Sequence, residues 1–224
     1  MASRKRRRMM MKRTVSILLI LMMIFSLCAC TDNSDTEFYE EFPTGEEIET
    51  IEIKKNPVAT VKLSNGSKIK IELYYYSAPN TVADFIALAD AGVYDGMAFN
   101  IVRNNCIVMM GSLDEDYESP YYVMDEAGKY ENALSHEEGV VSMIRTSSSD
   151  TVTGQFFILT RAQKHFDSRY TSFGKVIEGM DIINEIAAAE RNEDDYLISP
   201  YVIDSVKVST YGADIPLPNI IPKD

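Results

Sequence analysis

The chain has 224 residues, with 22 basic and 34 acidic side chains, a net charge of −12, three cysteines and no tryptophan. So acidic a body argues against nucleic acid or direct adhesion to anionic lipid, because both demand the opposite sign of charge. Two histidines, His136 and His165, and no paired cysteines in the body of the chain leave little for a zinc site.

The amino terminus reads as an export signal. Arg4, Lys5, Arg6, Arg7, Arg8, Lys12 and Arg13 form a basic stretch without an acid, followed by the apolar run Val15–Leu27. That run is short for a membrane span and suits a signal core. It closes on Leu27-Cys28-Ala29-Cys30, which resembles a bacterial lipobox with small Ala29 before the cut and Cys30 as the lipidated residue. An uncleaved N-terminal anchor is the other reading. Both place the protein in the bacterial cell envelope, held to the extracytoplasmic face of a membrane. Cleavage after residue 29 removes seven basic residues and no acids, so the charge moves from −12 to −19 and Cys106 becomes the single free thiol.

Residues 30–56 carry nine acids between Thr31 and Asn56 and read as a flexible acidic tether. The folded domain is expected over 57–210. It starts with two alternating runs, VATVKL and KIKIELYY, joined through Asn65-Gly66, a dipeptide suited to a type I′ hairpin turn. Pro79 opens a helical pattern with Val82, Phe85, Ile86 and Ala89 on one face and Gly92 as its C-cap. Short strand-like runs follow: MAFNIV, CIVMM, GVVSMI, GQFFILT and TSFGKVI. A second helix, GMDIINEIAAAE, an acidic loop over Arg191–Ser199 and a final strand, YVIDSVKVS, complete the domain. Residues 211–224, with prolines at 216, 218 and 222, read as an extended tail. Apolar runs of this length divided by Gly, Ser and Asp clusters predict a mainly β closed barrel or sandwich with two helices over its ends.

The order of these pieces resembles the cyclophilin family of peptidyl-prolyl cis-trans isomerases, from about Ala59 to Ile203. APNTVADFIALADAGVYDGMAF is similar to the family's first helix and turn, GVVSMIRT to the strand and loop beside its substrate groove, GQFFILT to its most recognisable strand, and FDSRYTSFGKVIEGMDIINEI to its closing segment. The resemblance implies a closed antiparallel eight-stranded barrel capped by two α-helices, acting as a monomer without a metal or cofactor. It implies that proline-containing segments of exported polypeptides are the partners.

The reaction is rotation about an amide preceding proline, slow because resonance sets a barrier of roughly 18–20 kcal/mol. A catalyst binds the twisted amide better than either planar form. The resemblance implies an apolar pocket for the proline ring and an arginine aimed at the prolyl nitrogen. Phe157 stands where the family's phenylalanine floors that pocket, with Gln155 and Phe156 matching its neighbours. Phe166 takes a position usually held by leucine, and Ile144 and Arg145 occupy positions whose backbone binds substrate. Tyr170 replaces a common histidine. His165 stands where some relatives carry a tryptophan that binds cyclosporin, which implies weak binding of that ligand.

The opposite wall departs from the family pattern. Phe99 and Gly111 match, at the family's own spacing of twelve residues, so no gap intervenes. On that register Ile101 occupies the position of the catalytic arginine, and Met109 that of the glutamine binding the substrate backbone. Cys106 and Ile107 replace the pocket's phenylalanine and methionine, and Met110 and Ser112 replace a glycine and an aspartate. Arg103 lies two residues beyond Ile101 on the same strand face and is either a substitute donor or a solvated turn residue. Cys106, between apolar neighbours, reads as a small core hydrophobe rather than a redox group. Three functions follow: an isomerase of low turnover, a binding or chaperone module that grips proline without rotating it, and a structural envelope lipoprotein.

Overall fold

Alternating burial along the first two runs shows how the barrel begins. β1 (Val58–Leu63) and β2 (Lys68–Leu73) each send every second side chain inward, so Ala59, Val61, Leu63, Ile69, Ile71 and Leu73 are buried. The computed structural model describes residues 42–44, 48, 50–113, 121–131, 133–145 and 151–222. The expected signal segment and Cys30 lie outside the described residues.

Six further strands close the barrel: β3 (Ala98–Arg103), β4 (Ile107–Gly111), β6 (Val140–Arg145), β7 (Thr151–Leu159), β8 (Ser172–Glu178) and β9 (Tyr196–Ser209). Their order is β7-β4-β3-β9-β1-β2-β8-β6, and β6 pairs back onto β7, so the eight strands have no free edge. All of these pairings are antiparallel. β5 (Tyr121–Met124) pairs with the start of β7, and β10 (Ile221–Pro222) pairs with β5 as a side extension.

Helix α1 (Pro79–Asp90) is bounded as its sequence dictates. Proline sits in the first turn, where its missing N–H costs nothing, and the Glu126 carboxylate accepts from the Asn80 and Thr81 N–H groups at 3.1 and 2.8 Å. At the other end Gly92 has φ +76, and the Val93 and Gly92 N–H groups donate to the Leu88 and Ala89 carbonyls, which is the Schellman arrangement. Phe85 from this helix meets Tyr94, Phe156 and Phe173 at ring-centroid distances of 5.1 to 5.7 Å. Each such buried aromatic contributes about 1.5–3 kcal/mol, and together they form the core. Helix α2 (Met180–Ala188) buries only Ile183 and Ile186 and packs near β3 and β4.

Two expectations are corrected. The Asn65-Gly66 connection is not a two-residue type I′ turn: only Gly66 has a positive φ, and the Asn65 side chain accepts from Ser67 N–H within a longer loop. The left-handed pair sits instead at Asn104-Asn105 (φ 52 and 55), where Cys106 N–H donates to the Arg103 carbonyl at 3.1 Å. The segment read as an acidic loop is partly strand: β9 begins at Tyr196, and Arg191 bridges to Leu197. Backbone pairing with β3 overrides the charge and the proline of that stretch. The tail also docks, because Ile220 is buried and Asn80 exchanges two hydrogen bonds with Asn219 at 2.9 and 2.8 Å. On the tether side, Phe42 and Ile53 are buried against the domain, and Ile53 N–H donates to the Tyr76 hydroxyl at 2.8 Å.

Candidate active site

The candidate site lies on the outer face of the barrel, where three strands run side by side. Ile101 of β3 pairs directly with Met109 of β4, and Met109 pairs with Phe157 of β7. Their sequence neighbours Val102, Val108, Met110, Phe156 and Ile158 are fully buried and fill the interior, so alternation turns this row outward. Around the row, Cys106, Ile107, Phe157 and Leu159 form a buried apolar cluster, with Met109, Ile144, Phe166 and Tyr170 packed on it half-buried. Phe157 meets Phe166 at 5.9 Å and Tyr170 at 5.4 Å, both edge to face, and Phe166 meets Tyr170 at 4.8 Å. Edge-to-face packing fixes ring orientation and leaves faces for a small apolar ligand.

This cluster brings together seven expected substrate residues: Cys106, Ile107, Met109, Ile144, Phe157, Phe166 and Tyr170. Cys106 is floor rather than rim, with its sulfur buried and the Gln163 amide 3.3 Å away. His165 is exposed on the 3-10 turn Lys164–Phe166 and meets Phe166 edge to face at 4.4 Å. Arg145 is turned away from the row: its Nε lies 3.2 Å from Asp125, its Nη1 donates to the Arg169 carbonyl at 2.5 Å, and its guanidinium sits 6.0 Å from the Tyr170 ring.

Ile101 and Gln155 belong to an adjoining groove of about 530 Å³ that shares Met109 and Ile144 with the cluster. Arg103 pairs with Ile107 and is exposed at the end of β3; it does not line the groove. Its turn is instead held by two other arginines, Arg161 donating to the Asn104 carbonyl at 2.7 Å and Arg191 to the Val102 carbonyl at 3.0 Å. A second cleft, about 590 Å³ between the Ser64-Asn65 turn and Ile198–Val202, shares only Pro200 with the groove and touches none of the expected substrate residues.

Sequence reasoning missed two features. The first is a bulge: between the pairs Phe99–Tyr201 and Ile101–Tyr196, the single residue Asn100 opposes the four residues Leu197–Pro200 of β9. This detour opens the groove, with Tyr196, Leu197 and Pro200 as its far wall. A polar residue inside an apolar strand run was its only signal. The second is a buried relay behind Phe166. His136 Nδ1 lies 2.8 Å from Asp167, and Ser142 Oγ lies 2.9 Å from His136 Nε2. Burial lowers the His136 pKa against the opposing pull of Asp167, so a neutral ring donating to Asp167 and accepting from Ser142 fits both bonds. Asp167 stays below the usual carboxylate range: burial raises it, but hydrogen bonds from His136 and Ser135 outweigh that. Ser142 is wholly buried, so the relay fixes β6 and the Phe166 edge and offers no nucleophile to a substrate. His165 and Asp167, whose spacing is a weak metal signal, point to different tasks. Among the described residues no group of three or more His, Cys, Asp or Glu is placed to hold a metal ion.

The model of the cyclophilin type peptidyl-prolyl cis-trans isomerase family matches residues 58–208. The chain is 35% identical over 126 residues to peptidyl-prolyl cis-trans isomerase B of Bacillus subtilis, a match covering 56% of this chain and 87% of that protein. It is 28% identical over 164 residues to peptidyl-prolyl cis-trans isomerase cyp18 of Streptomyces antibioticus, covering 67% and 99%. Among solved structures, a cyclophilin type peptidyl-prolyl cis-trans isomerase of Cryptosporidium parvum superposes with a TM-score of 0.59 at 22% identity, covering 69% of this chain and 98% of that one, which supports the fold.

Proposed function

Because the chain belongs to the cyclophilin-type peptidyl-prolyl cis-trans isomerase family, we propose that it acts on Xaa-Pro bonds of exported polypeptides at a membrane face, with low turnover. The observation that carries this reading is the Ile101–Met109–Phe157 row. One end of the row is an aromatic cluster shaped to hold a proline ring. The other end holds no charged donor where the family's arginine stands. Gripping the ring while the flanking peptide turns lowers the barrier to the extent that the pocket favours the twisted amide. A positioned donor at the prolyl nitrogen commonly adds about 3 kcal/mol, or roughly a hundredfold in rate, and Ile101 cannot supply it.

That absence also supports the second reading, a module that binds proline-containing segments and hardly rotates them. Location rests on the basic stretch, the apolar run and Leu27-Cys28-Ala29-Cys30. More than one acyl chain on Cys30 gives stable anchoring. Loss of membrane fractionation in Cys30→Ala tests it, and full retention contradicts it.

Titration of the full-length protein with Ala-Pro peptides, followed by amide and methyl NMR shifts, tests the site. Shifts centred on Ile107, Met109, Phe157 and Phe166, with affinity weakened about tenfold by Phe166→Ala, support proline binding. Saturating peptide with no shift in this cluster contradicts it.

A further inference from the structure

The groove beside the row contains a buried acceptor that no group among the described residues uses. Asn100 is 8% exposed, and its Oδ1 is closed to water and has no hydrogen-bond partner. Its Nδ2 donates to the Ser112 carbonyl at 3.3 Å. A carbonyl only accepts, so this bond fixes which way the amide faces and turns Oδ1 to the other side. On that side lies the bare backbone of Gly111: a Cβ there would stand 3.8 Å from Asn100 Oδ1 and 3.4 Å from Gln155 Oε1. Two carboxamide oxygens therefore flank the side-chain-free, buried backbone of Gly111. An acceptor left buried and unpaired is costly, and an incoming donor relieves that cost.

The rest of the groove restricts what the donor is. Its lining includes Ile101, Met109, Leu197 and Pro200, and among the described residues it contains no Lys, Arg, Asp or Glu. An ammonium or guanidinium entering such a wall loses its hydration without a counter-charge. A carboxylate meets two oxygens and is repelled. A primary carboxamide suits the pair, because its NH2 carries two donors and no net charge.

Resting on the proline-binding reading above, we propose that Asn100 and Gln155 form a specificity subsite for an Asn or Gln side chain within two residues of the bound proline. Asn100 is the fixed member of the pair. Gln155, half-buried, is the movable one and turns aside to admit the ligand's NH2. The bulge at Asn100 and the detour at Leu197–Pro200 create the space, so the subsite comes from local backbone irregularity in two adjacent strands.

The test measures affinities of the full-length protein for Ala-rich peptides containing one proline. Gln, Leu or Glu replaces Ala in turn at each of the two positions on either side. At one position the Gln peptide is expected to bind about tenfold tighter than its Leu and Glu counterparts. In Asn100→Ala that advantage falls below twofold. Gly111→Ala, whose new methyl makes only ordinary contacts of 3.4–3.8 Å, fills the space between the oxygens and removes the advantage independently of how Asn100→Ala folds. Equal affinity for Gln and Leu peptides at every position overturns the subsite while leaving proline binding intact, as does an advantage unchanged in both variants. Failure of every proline peptide to bind overturns both readings together.

Discussion

Ile101 and Met109 face each other across the β3–β4 ladder, half-buried, on the side of the barrel that carries the aromatic cluster. In the family these two positions hold the donor for the prolyl nitrogen and the group that binds the substrate backbone. Here both are apolar and stand opposite each other, and Met109 packs on the aromatic cluster, so an apolar surface runs from the cluster to the position of the family's arginine. Cross-strand apolar pairs of this type stabilise a sheet by roughly 0.2–1 kcal/mol, which offsets the loss of polar chemistry with a firmer surface.

Arg103 has no place in the groove that holds Ile101. Its side chain is exposed, its cross-strand neighbour is Ile107, and it does not line the groove. Arg103→Ala is predicted to leave the rate of cis-to-trans relaxation of an Ala-Pro peptide within twofold of the parent protein. A drop of tenfold or more would return Arg103 to the reaction.

Asp84 makes stability depend on pH. Burial raises its carboxyl from 3.8 to about 7, the Tyr121 hydroxyl at 2.6 Å pulling it down and the Glu126 charge pushing it up. The folded chain thus holds this proton more tightly than the unfolded chain. The stability it contributes is full below pH 3.8 and is lost as pH rises through 7, by up to about 1.4 kcal/mol per unit. Asp84→Asn is predicted to gain on the order of a few kcal/mol over the parent at pH 8 and to match it near pH 4, read from denaturant unfolding. His136, whose pKa is lowered, acts in the opposite sense and is common to both proteins, so the difference reports Asp84 together with its coupling to Glu126, whose pKa burial also raises. An offset that does not change with pH contradicts the assignment.

Ser142 is held by the buried His136 ring and lies opposite Phe157 across the β6–β7 ladder. Removing its hydroxyl leaves His136 Nε2 buried without a donor. Ser142→Ala is predicted to lower stability by about 1–3 kcal/mol. Unchanged unfolding midpoints would show that the relay carries no strain-bearing role behind Phe166.

Much of this architecture is written in local signals. Pro79 and Gly92 mark α1 to within a residue, and alternation in VATVKL and KIKIEL marks two strands and their inward faces. The motifs around Phe157 and Phe166 place the aromatic half of the site. The bulge at Asn100 is different in kind, because strand alternation in a sequence does not reveal when one residue opposes four. Asp194, Asp195 and Pro200 carry loop-like chemistry, yet the neighbouring β3 recruits Tyr196 and its successors into β9. The relay joins Ser142, His136 and Asp167 from separate segments, 6 and 31 residues apart, and no spacing rule connects them.

On the proposed reading this barrel grips proline while Ile101 withholds the donor that would speed rotation. The most direct measurement is cis-to-trans relaxation of an Ala-Pro peptide by the full-length protein and by Ile101→Arg. Slow catalysis by the parent and an increase on the order of ten- to a hundredfold in the variant are expected. Rapid catalysis by the parent, lowered when Ile101 becomes arginine, would contradict it.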